Sequence, residues 1–236
     1  MLRAVIFDLD GVVADSHPIH ETAWTQLLVE AGLDSKTLNL DFLYAGHPRR
    51  EILQHYLGKL EPAKIEQLGR RKDELYTLAA KELRAKPGIK RALAELEAGG
   101  VLCALATSAG RVRTQETLEK FGFTSRFTVV VTGEAVRAAK PSPDIFLLAA
   151  QRLSVDFVDC VVVEDSVAGV AAALAADMAC VGFAPAGPRL EELGKAGAHD
   201  LISEIPDDAL GYFRRIAASR DERQLNGTAR LARSSE

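Results

Sequence analysis

The chain has 236 residues, a formal net charge of -4 and 47% hydrophobic residues. That is enough apolar material for one large domain, or for a core domain carrying a smaller insertion. The acidic balance gives no electrostatic footing for nucleic acid, and no apolar run approaches the roughly 20 residues of a membrane span.

Met1-Leu2-Arg3 runs straight into the apolar stretch Ala4-Val5-Ile6-Phe7, leaving no room for a signal peptide. Asp8-Leu9-Asp10-Gly11 follows. An apolar run broken by a turn glycine reads as a buried strand ending at Asp10. Residues i and i+2 of a strand point the same way, so Asp8 and Asp10 share one small site at its end. Two such carboxylates need a cation, or must differ in protonation.

From about Ser16 to Ala85 there is no good strand. Ile19, Ala23, Trp24, Leu27, Leu28 and Ala31 fall on one helical face. The same holds for Ile52, Leu53, Tyr56, Leu57 and Leu60, and for Ile65, Leu68, Leu75, Ala79 and Leu83. A helical domain over 16–85 is expected, inserted into a core made of 1–15 and 86–220. The polar, aperiodic tail 221–236 is expected to fray.

Strand-like runs then recur at Val101–Ala106, Phe127–Val131, Cys160–Val163 and Ala179–Phe183, with helices such as Val112–Phe121 and Pro143–Leu153 between them. Continuous apolar runs suit parallel strands covered on both faces, and the alternation predicts an α/β doubly wound parallel sheet. Cys103, Cys160 and Cys180 lie singly in apolar runs, without motif spacing. They read as buried free thiols in a reducing compartment, hence a cytoplasmic protein.

Four of the strand ends carry polar groups: Asp8 and Asp10; Thr107-Ser108; Lys140, before Pro141-Ser142-Pro143-Asp144; and Glu164-Asp165. In such a sheet these ends face the ligand crevice. Four carboxylates around one lysine require a further cation, and hard oxygen donors favour Mg²⁺. A metal, a lysine and a hydroxyl together make a phosphate site. Blander readings stand beside these: Glu164-Asp165 as caps of the helix starting near Ser166, Ser108 as another helix cap, His20 and Trp24 as helix packing.

With these residues in order, the chain resembles the haloacid-dehalogenase (HAD) superfamily of phosphohydrolases, subfamily I with a helical cap, in the branch of β-phosphoglucomutase and small sugar phosphatases. Asp8-Leu9-Asp10-Gly11-Val12 matches its first motif, Thr107 the second, Lys140 the third and Glu164-Asp165 the fourth, continued by Ser166-Val167-Ala168-Gly169-Val170. The resemblance extends to about Ala184 and implies a Rossmann-like core. It implies Asp8 as nucleophile and Asp10 as general acid and base. Thr107 and Lys140 become phosphate and nucleophile partners. Backbone amides of Leu9, Asp10 and Ser108 join the phosphate cradle. Mg²⁺ would rest on Asp8, the Asp10 carbonyl, Asp165 and Glu164, the last directly or through water. In the cap it implies His20, Trp24, Gly46, Arg49 and Lys72 as substrate contacts.

The expected activity is hydrolysis of a small phosphate ester, a sugar or polyol phosphate, by a monomer with no nucleic-acid or membrane partner. The alternative is a phosphomutase using the same Asp8 intermediate. The mutase pattern resembles Ser-Ala-Ser-Lys-Asn, whereas this chain has Thr107-Ser108-Ala109-Gly110-Arg111 and lacks the Lys-Asn pair that holds a second phosphate. Intact motifs weigh against a catalytically silent binding protein, and the second aspartate and glycine of the first motif against a dehalogenase.

Overall fold

The computed structural model describes residues 1–40, 42–43 and 48–219. The tail 221–236 and Gly46 lie outside them. The chain divides into two compact units, residues 1–13 with the chain from Ala85 onward, and residues Ala14–Arg84.

The first unit is built on six parallel strands: β1 (Ala4–Phe7), β2 (Leu102–Thr107), β3 (Val129–Thr132), β4 (Cys160–Glu164), β5 (Ala179–Phe183) and β6 (Asp200–Ile202). Their order is β3-β2-β1-β4-β5-β6. Ile6 sits opposite Ala104 of β2 on one side and Val162 of β4 on the other. The strand order therefore reverses at β1, and in open α/β sheets ligands bind beyond the carboxyl ends of the strands at such a point.

The strands form here because their apolar runs have somewhere to go on both faces. All four residues of β1 are fully buried. Ile6 joins Val162, Phe146 and Val170 in a core on one face. Phe7 points the other way and meets Phe127 and Phe213 edge-on, with ring centroids 6.3 and 6.2 Å apart. Fully burying each such side chain contributes roughly 1.5–3 kcal/mol, which is why β1 holds as a strand at four residues. Helices α4 (Ile89–Ala98), α5 (Arg111–Phe121), α6 (Asp144–Leu153), α7 (Val167–Ala175) and α8 (Pro188–Lys195), with a helical run over 209–219, make up the rest.

Several boundaries differ from expectation, and one strand was not expected. The third strand begins at Val129, not Phe127. Phe127 is spent on packing against Phe7, and the Thr128 N–H donates to the Cys103 carbonyl before the ladder starts. The first strand ends at Phe7, before the aspartates. β6 has no apolar run to announce it: Asp200-Leu201-Ile202 is a three-residue edge, paired only with β5.

The second unit holds α1 (His17–Glu30), α2 (Arg49–Leu57) and α3 (Pro62–Ala79). Helix α1 buries Ile19, Ala23, Trp24, Leu27 and Leu28, while Ala31, expected on the same face, is exposed beyond the helix end. Leu60 falls after the turn at Gly58 that ends α2. The Arg71 Nε and Nη2 groups each donate to the Glu30 carboxylate at 2.9 Å, tying α3 to the last turn of α1. No described helix is long and apolar enough to cross a membrane.

Candidate active site

The site is assembled at the carboxyl ends of β1, β2 and β4. The Asp8 N–H still donates to the Val163 carbonyl (3.0 Å), so its position is set by the ladder. The chain then turns, and Gly11 takes φ +75°, a left-handed conformation that glycine adopts without steric cost. This accounts for the glycine after the second aspartate.

Lys140, from the loop after β3, is buried. Its Nζ donates to Asp8 Oδ1 at 2.6 Å, Glu164 Oε1 at 2.5 Å and the Ala106 carbonyl at 3.2 Å. The lysine thus bridges the ends of β1, β2 and β4. It also lies 5.0 Å from the centroid of the Phe146 ring. Burial works against its charge, but Asp8 and Glu164 outweigh that and hold its pKa above the ordinary lysine range. For Asp8, burial pushes the carboxyl well above the usual range. Lys140 pulls it down, and Glu164, Asp165 and Asp10 push it up again.

Glu164, expected at the metal directly or through water, also makes a dense set of contacts within the protein. It is fully buried. Oε1 accepts from Lys140, while Oε2 accepts from the N–H groups of Asp165 and Ser166 and from the Ser166 hydroxyl, at 2.9, 3.1 and 3.0 Å. Both oxygens are engaged in orienting the lysine and the loop. The helix cap is Ser166, whose Oγ accepts from the Gly169 N–H (3.0 Å), so the capping reading of Glu164-Asp165 is replaced as well. A Cβ on Gly169 would stand 1.9 Å from the Glu164 carboxyl carbon, so only glycine fits at this turn of α7.

Two further cations stand at the site, and sequence reasoning missed both. Arg113 grips Asp10 with Nη1 to Oδ1 at 2.9 Å and Nη2 to Oδ2 at 2.6 Å. Arg189 donates to the Asp165 carbonyl and to its Oδ2 (2.9 Å). The expectation of four carboxylates around a single lysine is corrected accordingly: Asp8, Asp10, Glu164 and Asp165 face Lys140, Arg113 and Arg189. Formally one negative charge is in surplus, and the neighbouring carboxylates add to the effect of burial in raising the Asp8 carboxyl. The donor set on offer is hard oxygen: the carboxylates of Asp8 and Asp165 with, directly or through water, Glu164. Mg²⁺ takes such a set with water and substrate completing its shell. Among the described residues no group of three or more His, Cys, Asp or Glu is placed to hold a metal ion.

Thr107 is buried at the end of β2, and its Oγ1 accepts from the Ala109 N–H (3.0 Å). Ser108 is exposed. It does not cap α5, because Gly110 holds that position without a side-chain cap.

In the helical unit, Lys72 is buried on α3 and its Nζ lies 2.8 Å from His20 Nδ1. It faces the rings of Tyr76 and Trp24, at 4.9 and 5.8 Å from their centroids. His20 stacks at a tilt on Tyr76, and Trp24 is buried in α1. Arg49 is half-exposed, pairs with Asp73 (2.6 Å), and lies so close to Gly69 that a Cβ there would be 2.8 Å from its Nη1.

Residues 5–183 match the haloacid dehalogenase-like hydrolase family, and the chain belongs to it. Among its relatives are the β-phosphoglucomutase of Bacillus subtilis, 31% identical over 90% of this chain and 97% of that protein, and the phosphorylated carbohydrates phosphatase of Thermotoga maritima, 31% identical over 91% of this chain and all of that one. The crystal structure of CbbY from Rhodobacter sphaeroides in complex with phosphate superposes with a TM-score of 0.71 at 27% identity, covering 86% of this chain and 95% of that one.

Proposed function

We propose that the protein is a Mg²⁺-dependent phosphatase of a small phosphorylated carbohydrate, a sugar or polyol phosphate, acting through an aspartyl-phosphate on Asp8. The observation that carries this reading is the buried Asp8–Lys140–Glu164 contact at the reversal point of the sheet, at 2.6 and 2.5 Å. Similarity to a phosphatase of phosphorylated carbohydrates supports the substrate class.

In the first step an Asp8 oxygen bonds to phosphorus as the ester oxygen leaves, and Asp10 gives that oxygen a proton. In the second, Asp10 takes a proton from water as the water displaces Asp8 and phosphate departs. Lys140 offsets charge on Asp8 and on the phosphoryl oxygens. Thr107 and the amides of Leu9, Asp10 and Ser108 donate to the same oxygens, which is the positioning and neutralisation that phosphoryl transfer needs. Mg²⁺, when bound, supplies the remaining positive charge. Asp8, Asp165 and the Asp10 carbonyl would hold it, with Glu164 joining them directly or through water. The helical unit serves as a cap in which His20, Trp24, Gly46, Arg49 and Lys72 meet the substrate. The three free, buried cysteines fit the cytoplasm.

A second reading, a phosphomutase, draws on the likeness to β-phosphoglucomutase. The phosphatase is preferred because Thr107-Ser108-Ala109-Gly110-Arg111 lacks the Lys-Asn pair of the mutase pattern.

The test is phosphate release from a panel of phosphorylated sugars and polyols, with and without Mg²⁺. Asp8→Asn is expected to lose activity by about 10³-fold or more while melting at the wild-type temperature. Retained Mg²⁺-dependent turnover in Asp8→Asn would refute the nucleophile. Conversion of β-glucose 1-phosphate to glucose 6-phosphate with a bisphosphate primer, and without phosphate release, would transfer the assignment to the mutase.

A further inference from the structure

The Asp10 carboxylate is held by a group for which the proposed chemistry has no use. The Arg113 fork takes both Asp10 oxygens, the strong geometry for a guanidinium and a carboxylate. Their side chains are only 28% and 24% exposed, so water screens the pair incompletely. The pair is also built in. The Arg111 N–H donates to Glu134 Oε1 (3.1 Å), and the same oxygen stands 2.9 Å from where a Gly110 Cβ would be, which fixes where α5 begins. Thr114 and Thr117 hydroxyls donate to the carbonyls of Gly110 and Arg113, at 2.9 and 2.8 Å. A helix N-terminus favours acidic side chains over basic ones. Two arginines in the first turn of α5 run against that preference.

We propose that Arg113 selects phosphate esters that carry a second anionic group, a carboxylate or another phosphate, close to the ester oxygen. This rests on the reading of Asp8 as nucleophile and Asp10 as acid and base. With the phosphoryl group at Asp8, Lys140 and Thr107, the leaving oxygen lies on the Asp10 side, and the rest of the substrate extends toward Arg113. Asp10 does not serve that oxygen while both of its own are gripped. Releasing it strips a partly buried guanidinium of a charged partner, which is costly. A second anion on the substrate takes the vacated place and frees Asp10 where it is needed; a neutral substrate has nothing to exchange. The handover makes and breaks no covalent bond.

The test is kcat/KM of the full-length enzyme with Mg²⁺ on two matched pairs: 3-phosphoglycerate against glycerol 3-phosphate, and fructose 1,6-bisphosphate against fructose 6-phosphate. The expected result is a preference of about tenfold or more for the doubly anionic member of at least one pair. Which pair responds separates carboxylate from phosphate. In Arg113→Met that preference falls to near unity because the doubly anionic ester loses ground, and Arg113→Lys recovers part of it. Three results overturn the proposal: no preference in the wild type, including turnover of p-nitrophenyl phosphate but of neither doubly anionic ester; a preference that survives Arg113→Met; or equal losses on both members of a pair in both variants, the mark of a structural role. Failure of the phosphatase reading is distinct, since it would appear as no Asp8-dependent phosphate release from any ester, p-nitrophenyl phosphate included.

Discussion

Each unit buries one lysine, and the two are held in different ways. Lys140 meets two buried carboxylates at 2.6 and 2.5 Å. Lys72 stands beside an imidazole nitrogen and the faces of two aromatic rings. The first arrangement fixes a cation inside a charged network, where removing the lysine leaves two carboxylates buried and uncompensated. The second surrounds the ammonium with soft, polarisable partners that tolerate an apolar replacement. The difference separates a group that organises its site from one proposed to meet the substrate.

Breaking the first arrangement gives the largest effect. Lys140→Met is expected to lower kcat by about 10³-fold and stability by about 3–5 kcal/mol, the cost of an unpaired buried charge. Denaturant melts should recover part of that loss on adding Mg²⁺, and a melt insensitive to Mg²⁺ would contradict the charge surplus at Asp8. Next comes Gly169→Ala, which displaces Glu164 and leaves the lysine untouched in sequence. Overpacking of this kind costs about 1–3 kcal/mol, and kcat should fall by about tenfold or more with it. Wild-type activity in Gly169→Ala would separate Glu164 from the orientation of Lys140. The smallest effect belongs to the second lysine. Lys72→Met should melt within about 1 kcal/mol of wild type, raise KM for a sugar phosphate by about tenfold, and leave p-nitrophenyl phosphate turnover unchanged. Equal losses on both substrates would remove Lys72 from the substrate side.

The contrast also explains what the sequence made legible. Asp8, Thr107 and Glu164 lie at or just past strand ends, and an apolar run that stops at a polar residue marks such a place in one dimension; Lys140 lies in the loop well beyond β3 and was marked by the Pro141-Ser142-Pro143-Asp144 that follows it. Lys72 was singled out by the resemblance of the cap to the β-phosphoglucomutase branch and not by a pattern of its own, although position 72 falls within the helical stripe of Ile65, Leu68, Leu75 and Ala79. Arg113 and Arg189 carry no such mark. Each reaches its aspartate from a helix, across 103 and 24 residues of sequence, and only the folded sheet brings them together. Two arginines opening α5 were the available hint, because the helix dipole disfavours them without acidic partners. Glu164 was found, but its contacts to Lys140 and to the loop after β4 were not, since spacing places a carboxylate without revealing what its oxygens accept. β6 was missed because an exposed three-residue edge needs no apolar pattern.

The fourfold engagement of Glu164 has a consequence for how this fold can change. One carboxylate joins a lysine from beyond β3, the backbone of the loop after β4 and the serine that starts α7. Removing Lys140 leaves the Asp8 and Glu164 carboxylates buried without the cation they share, and removing Glu164 strands the N–H groups of Asp165 and Ser166. Loss of the nucleophile alone silences the protein and spares the network, so a descendant of this chain that abandons catalysis has an easy first step at Asp8. It has no comparably easy one at Lys140 or Glu164, which would have to be replaced together.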